Sequence, residues 1–347
     1  MPDKTKLTTL SELGEFKLIE HLTKDFTLQK KSSLKGIGDD AAILDYGDQK
    51  LVLTTDLLME GIHFNLVYTP LKHLGYKAVI VNLSDVYAMN ASPAQITVSV
   101  AVSNKFSVES LEELYSGIKL ACDQYGIDLV GGDTTSSVTG LVISITAVGS
   151  AQHDKLVYRD GARKNDLICV TGNLGAAYAG LQILERERKI FESDYKIQPE
   201  LTNYAYILER QLKPEARKDI IQALSDEEVV PSSMIDLSDG LSSDLLHICK
   251  QSGVGCRIFM EKIPVAEETI NAAEEFNIEP FICALNGGED YELLFTVSPE
   301  ELKKVAQIGG VSMIGHITDS DNGNKLITKE GNEISLQAQG WNSMSED

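Results

Sequence analysis

Apolar residues in the first half of the chain recur with two different periods. Over 95–102 they alternate, with Ile96, Val98, Val100 and Val102 on one face and Thr97, Ser99 and Ala101 on the other, as in a half-buried strand. Residues 141–148 alternate similarly, and 51–56 read as a short apolar strand closing on the carboxylate of Asp56. Helical spacing appears at Leu71, Leu74, Ala78 and Val81. It predicts a helix over 70–88, with Pro70 in the first turn, Thr69 as its cap and Asp85 near its end. A second helix is predicted from Ser107 through Leu111, Leu114, Ile118 and Cys122 to Gly126. A strand over 127–130 then runs into Gly131-Gly132-Asp133.

Between 150 and 165 the chain turns polar and charged, which places a domain boundary there. The second half opens with a strand over 166–171, Gly172-Asn173 and a helix over 174–187. Further strands are predicted at 254–260, 291–297 and 311–317, and helices after Gly240, at 267–275 and at 299–308. Strands and helices interleaved in both halves imply an α/β or layered α+β protein. The predicted domains are 1–150 and 160–347.

At 347 residues the chain is long for a single core, and 43% hydrophobic with 24% charged residues reads as globular. The net charge of −21 argues against non-specific nucleic-acid binding. No stretch approaches the roughly 20 apolar residues of a membrane span. Met1-Pro2-Asp3-Lys4-Thr5-Lys6 lacks the apolar core of a signal peptide. The five cysteines are scattered without a Cys-x-x-Cys pair, which predicts reduced thiols in the cytoplasm. None of the six histidines shows zinc-site spacing.

The candidate chemistry lies in short acidic turns rich in Gly, Ser and Thr. They are Gly36-Ile37-Gly38-Asp39-Asp40, Thr54-Thr55-Asp56, Asn82-Leu83-Ser84-Asp85, Gly131-Gly132-Asp133-Thr134-Thr135, Asp236-Leu237-Ser238-Asp239-Gly240 and Gly287-Gly288-Glu289-Asp290. Carboxylates so placed are hard to desolvate without a compensating cation, and hard oxygen donors point to Mg²⁺. Asp85 follows a long apolar run, where unpaired acids are rare. Asp236 and Asp239 stand three apart at a helix mouth, close enough to repel unless a cation lies between them. The glycines of 131–132 permit positive φ and close approach of a ligand. Residues 36–41 formally match Gly-x-Gly-x-x-Ala, but no buried strand precedes them and two carboxylates would face the pyrophosphate. The chain has no P-loop pattern either, so nucleotide binding would run through metal.

Taken in order, these turns resemble the thiamine-monophosphate kinase family of the aminoimidazole ribonucleotide synthetase-like superfamily. Gly14-Glu15-Phe16-x-Leu18-Ile19, Gly61-Ile62-His63-Phe64, Lys77-Ala78 and the extended Gly287-Gly288-Glu289-Asp290-Tyr291-Glu292-Leu293 complete the pattern. The resemblance implies a two-domain fold whose N-terminal domain binds ATP and Mg²⁺ and forms a homodimer through its sheet. The C-terminal α/β domain completes the active-site cleft. It implies several Mg²⁺ ions held by Asp40, Thr54, Thr55, Asp56, Asp85, Asp133, Asp236 and Asp239, with Asp39 beside Asp40 in an unresolved role. ATP would meet Tyr115, Gly132, Asp133, Arg159 and Ser238, and thiamine monophosphate would meet His63, Glu289 and Trp341. The implied reaction is direct in-line phosphoryl transfer to a phosphate acceptor, with no general base. The alternatives are another ATP-dependent enzyme of the superfamily and a non-catalytic, acidic metal-binding protein.

Overall fold

The computed structural model describes residues 19, 20, 23, 28–196 and 198–338. Gly14, Glu15, Phe16, Leu18 and Trp341 lie outside the described residues. The alternating segments become the centre of a six-stranded sheet in the order β1-β2-β3-β6-β4-β5. Its strands are β1 (Ser33–Lys35), β2 (Ala42–Asp45), β3 (Gln49–Met59), β4 (Ser92–Val102), β5 (Asp128–Ser136) and β6 (Val142–Gln152). All pairs are antiparallel except β4–β5. Ile96, Val98 and Val100 are buried with Ile143, Ile145 and Ala147, so the period-2 pattern marks the core-facing side.

Helices α1 (Leu71–Ala88) and α2 (Val108–Tyr125) cover that side. Ser107 caps α2 by accepting the Ser110 N–H, and Gly126 ends it in the left-handed region. The start of α1 differs from expectation: Pro70 is itself the cap residue, and no side chain, Thr69 included, caps the helix. Nearly all of α1 is buried, because it is held among the first sheet, α2 and the second half of the chain. Gly75 and Gly117 let α1 and α2 touch backbone to backbone; a Cβ at Gly117 would lie 1.8 Å from the Lys72 carbonyl oxygen.

The second half builds a seven-stranded sheet, β13-β12-β9-β11-β7-β10-β8. It comprises β7 (Leu167–Thr171), β8 (Ser233–Asp236), β9 (Val254–Phe259), β10 (Leu293–Val297), β11 (Val311–Asp319), β12 (Asn324–Ile327) and β13 (Glu333–Ser335). Helices α3 (Ala176–Ser193), α4 (Ala205–Leu212), α5 (Lys218–Asp226), α6 (Leu241–Ser252), α7 (Glu267–Glu275), α8 (Pro280–Asn286) and α9 (Leu302–Val305) accompany it. Ile168 and Val170 on one face of β7 pack with Leu241 and Leu245 of α6, while Cys169 on the other packs with Ile220 and Leu224 of α5. Both faces are therefore covered. Helices α4, α5 and α8 and strands β1, β2, β8, β12 and β13 carry too few periodic positions to have been predicted.

Two of the acid-rich motifs lie inside strands rather than at turns, whereas the third keeps its predicted place in a helix. Thr54-Thr55-Asp56 lies within β3, which continues to Met59, and Gly131–Thr135 lies within β5. Asp85 is in the last turn of α1. Gly132 is tight for packing: a Cβ there would lie 1.8 Å from the Val98 carbonyl oxygen, so β4 approaches it closely.

Candidate active site

Strand β3, helix α1, strand β8 and the loop before β2 converge at one edge between the two sheets. Asp56 and Thr54 share a face of β3. The Thr54 hydroxyl donates to Asp85 Oδ2 at 2.6 Å, and the Asp56 N–H donates to Asn82 Oδ1 at 3.1 Å. One turn of α1 thus fixes the β3 motif. Ser84, beside Asp85, donates to Asp236 Oδ2 at 2.7 Å and ties the two halves of the chain together. Asp40, Asp85 and Asp236 each offer an oxygen, all within 4.8 Å of one another.

This cluster is electrostatically frustrated. Burial pushes the Asp40 carboxyl up to about 6 against the pull of Arg159, and Asp236 adds to the rise. Burial likewise raises Asp236 to about 6, although the Ser84 hydroxyl and Arg159 favour its charged form. Asp85 is pushed well above the usual carboxylate range by burial and then by the charges of Asp56, Asp236 and Asp40. Like charges gathered out of water bind protons or a cation. Oxygen donors of this kind fit Mg²⁺.

Arg159 approaches Asp40 in bidentate fashion, Nη2 to Oδ1 at 2.7 Å and Nε to Oδ2 at 3.1 Å. Asp39 turns elsewhere: it pairs with Lys35 at 2.8 Å and faces the Arg159 N–H at 3.3 Å. The two adjacent acids are thereby separated, with Asp40 in the cluster and Asp39 anchoring the loop. Asp244, not singled out in the sequence, accepts the N–H groups of Asp239 (3.3 Å) and Gly240 (3.1 Å) and fixes that turn. Its signal was an acid in the first turn of α6.

The loop carrying Glu289 hydrogen-bonds to the Asp236–Gly240 segment. The Glu289 N–H donates to the Ser238 carbonyl (2.8 Å) and the Tyr291 N–H to the Leu237 carbonyl (2.9 Å). Glu289 and Tyr291 both have positive φ, at 66° and 51°, a conformation bulky residues hold only when neighbours enforce it. Asp290 supplies part of that enforcement by accepting the Gly175 N–H at 2.6 Å, just before α3. Glu289, Tyr291, Ser238, Asp239, Asp56, Asp85 and Asp236 all line a cleft of about 870 Å³. The rest of its wall includes Ile62, Phe64, Tyr68, Tyr178, Leu181 and Ile282. His63 is in the lining; its Nδ1 accepts the Met59 N–H at 3.0 Å, which leaves the proton on Nε2.

Other expected residues stand apart. The Thr55 hydroxyl bonds to the Ile145 carbonyl (3.0 Å) and accepts from Thr146 (3.1 Å), on the sheet face opposite Thr54, because side chains alternate along a strand. Asp133 pairs through Ser99 and Ser144 to Leu57, which puts it three strands, about 14 Å, from β3 and on the face away from Asp56. Gly132 shares that edge strand, and Tyr115 is half-buried on α2 against the core of the first sheet.

The two halves of the chain that meet at this cleft each match a domain model of the AIR synthase related proteins. The family model for their N-terminal domain matches residues 38–151 and that for the C-terminal domain matches 163–325. The thiamine-monophosphate kinase of Aquifex aeolicus (strain VF5) is 39% identical over 83% of this chain and 87% of its own length. That of Buchnera aphidicola subsp. Schizaphis graminum (strain Sg) is 36% identical over 95% and 99%. A solved structure described as AaThiL complexed with AMPPCP and TMP superposes with a TM-score of 0.82 at 34% identity, covering 97% of this chain and 99% of that one. The chain belongs to the thiamine-monophosphate kinase family.

Proposed function

We propose that this protein transfers the terminal phosphoryl group of ATP to the phosphate of thiamine monophosphate, giving thiamine diphosphate. The observation that carries the reading is a cleft whose clustered carboxylates open onto an apolar and aromatic wall. The carboxylates suit phosphates with their cations, and the wall suits the rings of the acceptor. The family relatives, and the bound pair named for the similar solved structure, support the same reading.

The nucleophile is a phosphate oxygen. A monoester with a second pKa of about 6 is mostly dianionic at neutral pH, so no side chain has to remove a proton. Binding and alignment are what remain for the protein to supply. Asp40, Asp85 and Asp236, with Asp56 and Asp239 beside them, would hold Mg²⁺. When bound, Mg²⁺ neutralises phosphate charge and orients the phosphates. Arg159, poised at Asp40, and Ser238, exposed at the cleft, are assigned to the nucleotide. His63, donating through Nε2, and Glu289 are assigned to the acceptor.

A homodimer through the first sheet belongs to the same proposal. Every residue of β5 is exposed, and Leu57 and Met59 present 52% and 40% of their surface on the face opposite α1. A second copy over that face would bury them, and would give Asp133 and Gly132 a route to a cleft their own chain does not bring them to. A cytoplasmic setting accords with five buried, unpaired cysteines. Among the described residues no helix is long and apolar enough to cross a membrane.

Coupled ADP-release assays test the proposal. Release dependent on both thiamine monophosphate and Mg²⁺ is expected. Turnover with another phosphate acceptor but not this one would overturn the substrate, and Mg²⁺ binding without any ATP binding would overturn the activity.

A further inference from the structure

Lys77 is the buried cation of this region that the reaction scheme leaves without a task. Its side chain is only 6% exposed, yet it lies in the middle of α1. The ammonium donates to the Gln211 carbonyl at 3.0 Å and pairs with Glu289 Oε1 at 2.8 Å. Gln211 completes the arrangement by donating its Nε2–H to Glu289 Oε2 at 2.8 Å. Both oxygens of Glu289 are thus held, one by a charge and one by an amide. The carboxylate still faces the cleft, with 28% of its side chain exposed. Holding it there counts because the Glu289 backbone is in the left-handed region, which leaves the loop reliant on its contacts.

The same helix sets a spacing. Lys77, Val81 and Asp85 fall four residues apart on one face of α1, and Val81 and Asp85 both line the cleft. Eight residues of helix span about 12 Å. One rigid element therefore carries the tether of Glu289 at one point and a member of the carboxylate cluster at another.

We propose that Lys77 is a positioning residue. It fixes the Glu289 carboxylate toward the acceptor and, through α1, sets the distance from the acceptor contact to the phosphate-transfer centre. This rests on reading the cleft as the thiamine monophosphate site. A buried ion pair of this kind is weak evidence for stability, since desolvation offsets much of its attraction, and geometric specificity is its better attested use.

Steady-state kinetics of Lys77→Met, Gln211→Leu, Glu289→Gln and the double variant Lys77→Met/Glu289→Gln, each checked for folding by circular dichroism, test the assignment. Lys77→Met raises KM for thiamine monophosphate by at least about tenfold while KM for ATP stays within about twofold. Gln211→Leu, which removes only the second tether, gives the same selective rise at about threefold, and it carries the test if Lys77→Met does not fold. The double variant is no worse than Glu289→Gln alone, because without the carboxylate there is nothing to position. Equal rises in both KM values, or factors that multiply in the double variant, overturn the assignment. A wild-type protein inactive toward thiamine monophosphate would instead overturn the reading of the cleft.

Discussion

Replacing Asp85 by Asn is expected to stabilise the cation-free protein while disabling it. Asn is nearly isosteric and its Oδ1 still accepts the Thr54 hydroxyl, so the change removes charge and little else. At the 4.8 Å limit separating the three carboxylates, one like-charge pair repels by about 3.5 kcal/mol at an effective dielectric constant of about 20. Asp85 takes part in two of the three pairs, about 7 kcal/mol if all three are charged. The real gain is smaller, because the cluster can take up a proton instead. Asp85, pushed well above the usual carboxylate range, takes that proton first, and Asp40 and Asp236, near 6, follow as pH falls. The expected stabilisation is therefore only on the order of 1–3 kcal/mol, largest at high pH where Asp85 carries its charge, read from the urea midpoint in EDTA at pH 8. Adding Mg²⁺ should stabilise the wild type and close the gap, as a ligand that binds only the folded state does. Turnover of Asp85→Asn should fall more than about tenfold. A variant no more stable than wild type in EDTA, or one that gains as much from Mg²⁺, would refute the argument that these carboxylates share a cation.

Asp239→Asn should also lower turnover more than about tenfold across a Mg²⁺ titration, and near wild-type rates would remove Asp239 from the centre. Burial raises Asp290 from 3.8 to about 7, against the pull of Arg210. The folded state therefore holds this proton more tightly, and its contribution to stability, full below pH 4, is lost as pH rises to 7. Asp290→Asn should flatten that part of the pH–stability curve and be the more stable protein at pH 8, by on the order of 2–4 kcal/mol; parallel curves would contradict this. Gly117→Ala must push α1 from α2 and should destabilise by about 2–3 kcal/mol, measured by chemical denaturation. Leu57→Lys on the open sheet face should turn a dimer into a monomer in sedimentation experiments, and an unchanged mass would exclude that face.

What the sequence determined by itself was periodicity and chemistry. The alternation at Ile96, Val98 and Val100 and the helical spacing around α1 and α2 were legible because each element has one face packed on a core. The acid-rich motifs were legible as chemistry because carboxylates beside glycines and hydroxyls need a compensating partner. The short second-half elements, such as β8 and α4, were not legible, since few periodic positions distinguish them from loops. Only the tertiary structure decided which motif residues meet. Thr54 reaches Asp85 and Thr55 does not, because adjacent side chains leave a strand on opposite faces. Asp40 joins the cluster and Asp39 pairs with Lys35. Lys77 and Gln211 converge on Glu289 from distant segments. Local pattern fixes which way a side chain leaves its own element; which partner it finds depends on how distant elements pack, and no local period records that.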